Sequence, residues 1–195
     1  MSGSKHFSEV DFDGITFSDE DLKGVELPHN DALVVSMMVA NAKVDKIFVS
    51  SGFGPCLLYL STLEKVLGLS RNDILPVKQT VMGNYGEKTE SIGTITLLVT
   101  AGDRPPRVRT FMVDFMVVDC PSVYDIIFGY RGLKALEAII STYHLFLRFH
   151  TDAGVGEVRG DQKKARECEK ALQELAERKA SQGTAGTKSV KVERP

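Results

Sequence analysis

Two stretches in the middle of the chain limit what it can fold into more than any other feature. Ile95, Leu97 and Val99 alternate with Thr94, Thr96 and Thr100, and Phe111, Val113, Phe115 and Val117 alternate with Thr110, Met112, Asp114 and Met116. Apolar residues at every second position give an extended chain one dry face, the pattern of a half-buried strand. Between the stretches lies Gly102-Asp103-Arg104-Pro105-Pro106. It cannot continue a strand interior, because proline lacks the ladder donor and glycine weakens pairing. The two stretches read as strands separated by a loop, and their dry faces need a core to cover them.

The rest of the chain extends this pattern. Ala32 to Val39 and Val44 to Val49 are apolar runs separated by the turn-like Asn41-Ala42-Lys43, which predicts a strand pair. Ser61 followed three residues later by Glu64 is the sequence of a capping box and predicts a short helix through Leu67, closed by Gly68. Asn72 to Val81 reads as extended, and Gly83 to Glu87 as a turn before the next strand. Leu133 to Ile139 is expected to form a second short helix. Thr142 to Phe149 is expected as a closing strand with Tyr143, Leu145, Leu147 and Phe149 on one face.

Composition shifts at both ends. Residues 1 to 25, with the acidic cluster Asp19, Glu20 and Asp21, read as a flexible, solvated leader, and 26 to 150 as the folded domain. In 151 to 195, Gly154, Gly156 and Gly160 read as a linker, Asp161 to Lys179 as a helix, and the small polar residues from Ser181 as a disordered tail. Ala165, Cys168, Leu172 and Leu175 follow a three-four spacing. Two heptads are too few for a coiled coil, so a helix laid against the domain or standing in solvent is expected.

Bulk properties exclude several functions. The 195 residues suit one domain with tails, and 24 Lys plus Arg against 26 Asp plus Glu give no electrostatic reason to expect nucleic acid or an anionic membrane as partner. Cys56, Cys120 and Cys168 lie far apart, which indicates neither a disulfide framework nor a metal site; no cofactor is expected. No apolar run reaches the roughly 18 residues of a membrane span, and Met1 to Gly14 lacks the apolar stretch of a secretory signal, so a soluble intracellular protein is expected.

Ile47-Phe48-Val49-Ser50-Ser51-Gly52 is an apolar strand running into a small-residue turn, followed by Leu57-Leu58-Tyr59-Leu60-Ser61-Thr62. Farther on, Ile126-Ile127-Phe128-Gly129 joins three apolar residues to a glycine. Ile15 to Leu22 and Pro28 to Val34 precede these motifs, and Ser141 to Leu145 and Gly154 to Gln162 follow them. Taken in this order, about residues 15 to 170 resemble the aspartic protease domain of plant gypsy-class long-terminal-repeat retrotransposon gag-pol polyproteins. The resemblance implies a retropepsin-like closed β-barrel with two short helices, followed here by a C-terminal helical extension. It also implies a homodimer, or a heterodimer with a related protease domain, and an extended peptide as ligand. Gly83, Tyr85 and Gly86 resemble the flap that closes over substrate in this family.

The departures carry chemical weight. Ser50-Ser51-Gly52 stands where the family has Asp-Ser/Thr-Gly, Cys56 where an aspartate usually follows four residues after the glycine, and Tyr130-Arg131 in place of the usual Arg-Pro. In the family each chain of the dimer gives one aspartate, and the two carboxylates share a proton because both cannot ionise at close range. A serine hydroxyl does not ionise near neutral pH and cannot take either role, so the resemblance implies a degenerate copy that is inactive, or one that cleaves only as a heterodimer whose partner supplies the single aspartate. Ser50 as a serine nucleophile needs a nearby base, yet His29 falls next to the leader segment, ahead of the first strand, and His144 and His150 in the last strand, and the flanks lack the Gly-x-Ser-x-Gly elbow. Gly52-Phe53-Gly54 lacks the third glycine and Lys-Ser/Thr of a phosphate loop. Asp45 and Asp125 are offset from the required position, and Asp114 lies on the polar face of a strand.

Overall fold

The structure, a computed structural model, describes residues 14–82 and 88–183. Six strands close into a barrel: β1 (Val34–Val39), β2 (Ala42–Val49), β3 (Cys56–Tyr59), β5 (Lys88–Ala101), β6 (Arg109–Val118) and β7 (Ile126–Phe128). They run around the wall in the order β1-β2-β7-β3-β6-β5, and β1 pairs back onto β5 through Met38–Thr100 and Val39–Val99. The short β4 (Thr80–Met82) adds to β5 as an outer edge. The alternation in the two central stretches is what fills the barrel: Leu97, Val99, Val113, Phe115 and Val117 are buried, while Thr96, Thr110, Met112 and Asp114 face outward. Mostly β, closed, with two short helices and a helical extension, the architecture matches the expected class.

Several boundaries differ from the sequence reading, each for a local reason. The first hairpin turns at Ala40-Asn41, with Ala42 and Lys43 already in β2; Ala40 takes a left-handed φ of 50°. Helix α1 (Leu60–Lys65) starts one residue before Ser61, with Tyr59 at its cap and no side-chain cap, so the expected Ser61–Glu64 box does not form. Buried Leu60 and Leu63 anchor the helix instead. Capping boxes occur at Ser18–Asp21 and Ser70–Asp73, where they close single 3-10 turns, the second interrupting the stretch expected to be extended. Helix α2 spans Tyr130–Leu136 and is closed by Glu137 at φ 55°, so that Ile139 enters a strand, β8 (Ile139–Ser141). Residues 142 to 145 make a turn, because Leu145 sits at φ 57° and breaks the extended run; β9 begins only at Phe146 (Phe146–Thr151).

Of the three glycines expected as a linker, Gly154 and Gly156 belong to a strand and Gly160 directly follows it. β10 (Gly154–Arg159) pairs with β9 along its whole length, and β8, β9 and β10 form a second, three-stranded sheet. A Cβ on Gly156 would stand 2.6 Å from the Phe149 ring, so the residue is small to let the sheet pack and not to loosen the chain. Helix α3 (Gln162–Gly183) follows: Ala165 and Cys168 are buried against the domain, whereas Leu172 and Leu175 are exposed.

The start of the described chain is also docked, in contrast to the expected solvated leader. Ile15 is buried, and Arg148 on β9 reaches the Thr16 carbonyl, Asp21 and Glu157 while its guanidinium lies 5.0 Å and 4.9 Å from the ring centroids of Phe17 and Phe146. The hydrogen bond from Arg148 holds the Asp21 carboxyl below its ordinary value of 3.8. A depressed carboxylate stabilises the fold above its unfolded pKa, and that contribution disappears as pH falls through the folded value. Arg148→Met is expected to cost about 2 kcal/mol at pH 7, the scale of lost charge-assisted hydrogen bonds. The melting-temperature gap between the two proteins should narrow when the pH is lowered from 5 to below 3; a gap that stays constant with pH would show that Asp21 does not carry the clasp.

Candidate functional site

β2 ends at Val49, and the parallel pairing of Ile47, Phe48 and Val49 with Ile126, Ile127 and Phe128 sets the two signature motifs side by side. The Ser50 N–H donates to the Phe128 carbonyl at 3.0 Å. One step on, the N–H groups of Tyr130 and Arg131 donate to the carbonyls of Phe53 and Gly54 at 2.6 and 3.0 Å. The Ser50–Gly54 turn and the first turn of α2 are thus joined through backbone alone. Gly129 permits this approach: a Cβ there would stand 2.0 Å from the Pro55 carbonyl oxygen and 2.6 Å from that of Phe53.

Ser50 is half-buried at the mouth of this junction, and Ser51 and Gly52 are exposed. Among the described residues neither serine hydroxyl has a hydrogen-bond partner, and two of the three histidines weighed as possible bases are engaged elsewhere. His29 Nε2 lies 2.9 Å from the Tyr143 carbonyl, and His144 Nδ1 lies 2.7 Å from Ser141 Oγ, with its ring stacked on Phe17. No nucleophile–base pair is assembled at Ser50. The nearby carboxylates serve the frame. Asp45 accepts from Ser36 and Lys164, while Asp125 accepts from the Lys46 N–H and from Thr62 Oγ1, tying β2 and α1 to the entry of β7. Asp114, on the outer face as expected, accepts from Thr96.

Cys56, where the resembled family has an aspartate, opens β3 directly beneath α2. Its thiol is fully buried, and a Cβ on Gly132 would come within 2.7 Å of the sulfur. Burial pushes its pKa up to about 11, against the lowering effect of the Gly129 and Gly132 N–H groups that point at the sulfur. Since only the thiolate is reactive, Cys56 is expected to resist iodoacetamide at pH 8 in the native protein and to alkylate readily in guanidinium chloride. Peptide mapping of the labelled protein by mass spectrometry reads this directly, and fast native labelling at Cys56 would mean that α2 does not seal the site.

A second small core, separate from the barrel interior, lies under the turn: Phe53, Leu57, Tyr59, Val81 and Val118 are buried together, with Met116 and Ile127 against them. It supports a groove of about 280 Å³ between β4 and the Gly52–Pro55 turn, with Arg131 and Met116 in its lining. Sequence reasoning placed Met116 on a strand's outer face and saw Arg131 only as a departure from a family pattern; nothing in the local sequence signals that both reach one groove. Gly83, Tyr85 and Gly86, expected as the flap, lie outside the described residues. A larger cleft of about 1110 Å³ lies between α3, β1 and the segment at Gly24–Glu26. Several of its charges already pair with one another or with neighbours, as Lys164 does with Asp45 and Asp161, and Arg166 with Glu26. Among the described residues no group of three or more His, Cys, Asp or Glu side chains could hold a metal ion, and no helix is long and apolar enough to cross a membrane.

No family model matches the chain, and no curated protein matches it. Among solved structures it is similar to the crystal structure of the retroviral protease-like domain of Ddi1 from Leishmania major. The identity is 22%, the TM-score is 0.48, and the match covers 66% of this chain and 95% of that one.

Proposed function

We propose that this chain is a retropepsin-like domain, derived from a plant gypsy-class retrotransposon polyprotein, that keeps the scaffold of an aspartic protease without its chemistry. The observation that carries the reading is Ser50 at the end of β2, hydrogen-bonded through its backbone to Phe128, at the position where the resembled family places its catalytic aspartate. Ser50, Ser51 and Gly52 mark that site, and the exposure of Ser51 and Gly52 leaves the turn open to a second copy of the chain or to an intact relative. Because among the described residues neither Ser50 nor Ser51 has a base hydrogen-bonded to it, neither acid–base nor nucleophilic cleavage has a route through these residues. What remains is pairing and peptide binding, which need backbone donors and acceptors and no acid.

The test is a panel of extended peptides incubated with the purified chain at mildly acidic pH, read by mass spectrometry beside a sedimentation measurement of its oligomeric state. No cleavage is expected. Cleavage that stops on adding an active-site-directed aspartic protease inhibitor would overturn the proposal, and a chain that stays monomeric both alone and mixed with an intact relative would remove the pairing role.

A further inference from the structure

We infer that the groove between β4 and the Gly52–Pro55 turn binds an extended peptide bearing a carboxylate, and that Arg131 is the group that recognises the charge. The inference rests on the reading of this face as a non-cleaving peptide site and deepens it by naming the chemistry of the ligand. Both walls of the groove present backbone. Among the described residues β4 is the outermost strand of its sheet and pairs with β5 alone, so its other edge carries peptide groups that no described strand covers. Opposite, Gly52 and Gly54 have open space where a side chain would be: a Cβ on either would meet nothing within 4 Å. A ligand that satisfies two such walls at once is a chain in extended form, which adds to the free edge as a strand. Phe53, Val81 and Met116 give the groove apolar surface for the ligand's alternate side chains.

Arg131 supplies the selectivity. Of the described residues lining the groove it alone is charged; the others are glycine, proline, apolar residues, Gln79 and Thr80. Its backbone is fixed by the hydrogen bond to the Gly54 carbonyl, and its exposed guanidinium has no ion pair or hydrogen bond among the described residues. A planar cation with all its donors available, beside an otherwise uncharged groove, favours a carboxylate over an amide and rejects an ammonium. The whole molecule works in the other direction, since its formal net charge is −2. Long-range attraction would favour a cationic peptide, so a preference for an acidic one has to arise locally.

The experiment uses four fluorescein-labelled octapeptides of alternating valine and threonine, and the full-length chain, read by fluorescence anisotropy at pH 7. Three carry a C-terminal amide and glutamate, glutamine or lysine at the centre; the fourth has central glutamine and a free C-terminal carboxylate. The glutamate peptide is expected to bind about fivefold tighter than its glutamine twin, as for one partly exposed ion pair, with lysine weaker again. Arg131→Gln should level the three, and Arg131→Glu should put the lysine peptide first, with both variants melting like the parent because the side chain is exposed. Tighter binding of the free-carboxylate peptide than of its amide would also support the proposal, placing the recognised anion at a chain end. Equal binding of all four, or a glutamate preference that survives Arg131→Gln, overturns it. So does failure of all four to bind, which leaves the non-cleaving reading intact, whereas cleavage of any peptide defeats that reading whatever the affinities.

Discussion

Replacing Ser50 by aspartate is expected to give the chain peptide cleavage at mildly acidic pH, where none is expected of the unaltered chain. The backbone needed to hold such a carboxylate is in place: the Ser50 N–H is bonded to Phe128, the turn that follows is stitched to α2 at Phe53 and Gly54, and the side chain stands half-buried with no competing hydrogen bond among the described residues. In a homodimer two such groups come together, and their repulsion leaves one protonated and one ionised near the operating pH, which supplies an acid and a base at once. Acid–base catalysis of this kind contributes about 10²–10⁴-fold per group. Ser50→Asn, of the same shape but unable to ionise, should stay silent. A bell-shaped pH profile in the aspartate variant, absent from the asparagine one, would tie the activity to the pair. Silence from both in a proven dimer would move the lesion to Cys56, Tyr130 and Arg131.

The second large effect is structural. Gly129→Ala should destabilise the fold by about 3–5 kcal/mol, combining overpacking with two or three lost backbone hydrogen bonds. The atoms a methyl would strike are carbonyl oxygens of Pro55 and Phe53, which cannot rotate away as a side chain can. Relief requires β7 and α2 to draw back from the turn, at the expense of the bonds at Ser50, Tyr130 and Arg131. For a domain of this size the melting temperature should fall by roughly 10–15 °C. Gly52→Ala is the matched control, since the space in front of it is empty and the change should stay within about 0.5 kcal/mol. Two variants that melt together would show that the junction is softer than its contacts imply.

What could be read from the sequence was the part governed by short-range periodicity. The alternation from Ile95 to Val99 and from Phe111 to Val117 located β5 and β6 because a strand declares its buried face within a few residues. The motif at Ile47–Gly52 and its counterpart at Ile126–Gly129 were singled out by resemblance, and the structure brings them together through β2 and β7. Element limits differ where single residues decide them: Glu137, which ends α2, and Leu145, which delays β9, adopt left-handed conformations that no propensity favours. Gly156 of β10 looked like part of a linker because the reason for its size, the ring of Phe149 and the Arg107 carbonyl, lies in other segments. Arg148 illustrates the same limit, since its partners at Thr16 and Asp21 precede the barrel and leave no mark in the residues around it.

The barrel's wiring also bears on how the molecule is made. β2 finds its parallel neighbour only in β7, β3 lies against β6, and β1 closes onto the far end of β5. During synthesis the first hairpin therefore leaves the ribosome with both outer edges unpaired; the partner of β1 arrives with β5, but the outer edge of β2 stays vacant until Ile126–Phe128 have emerged. Contacts so distant along the chain make assembly slow. The nascent polypeptide consequently spends its most adhesive period before the second motif exists, and that is when a chaperone, or a like strand from a neighbouring chain, has its opportunity.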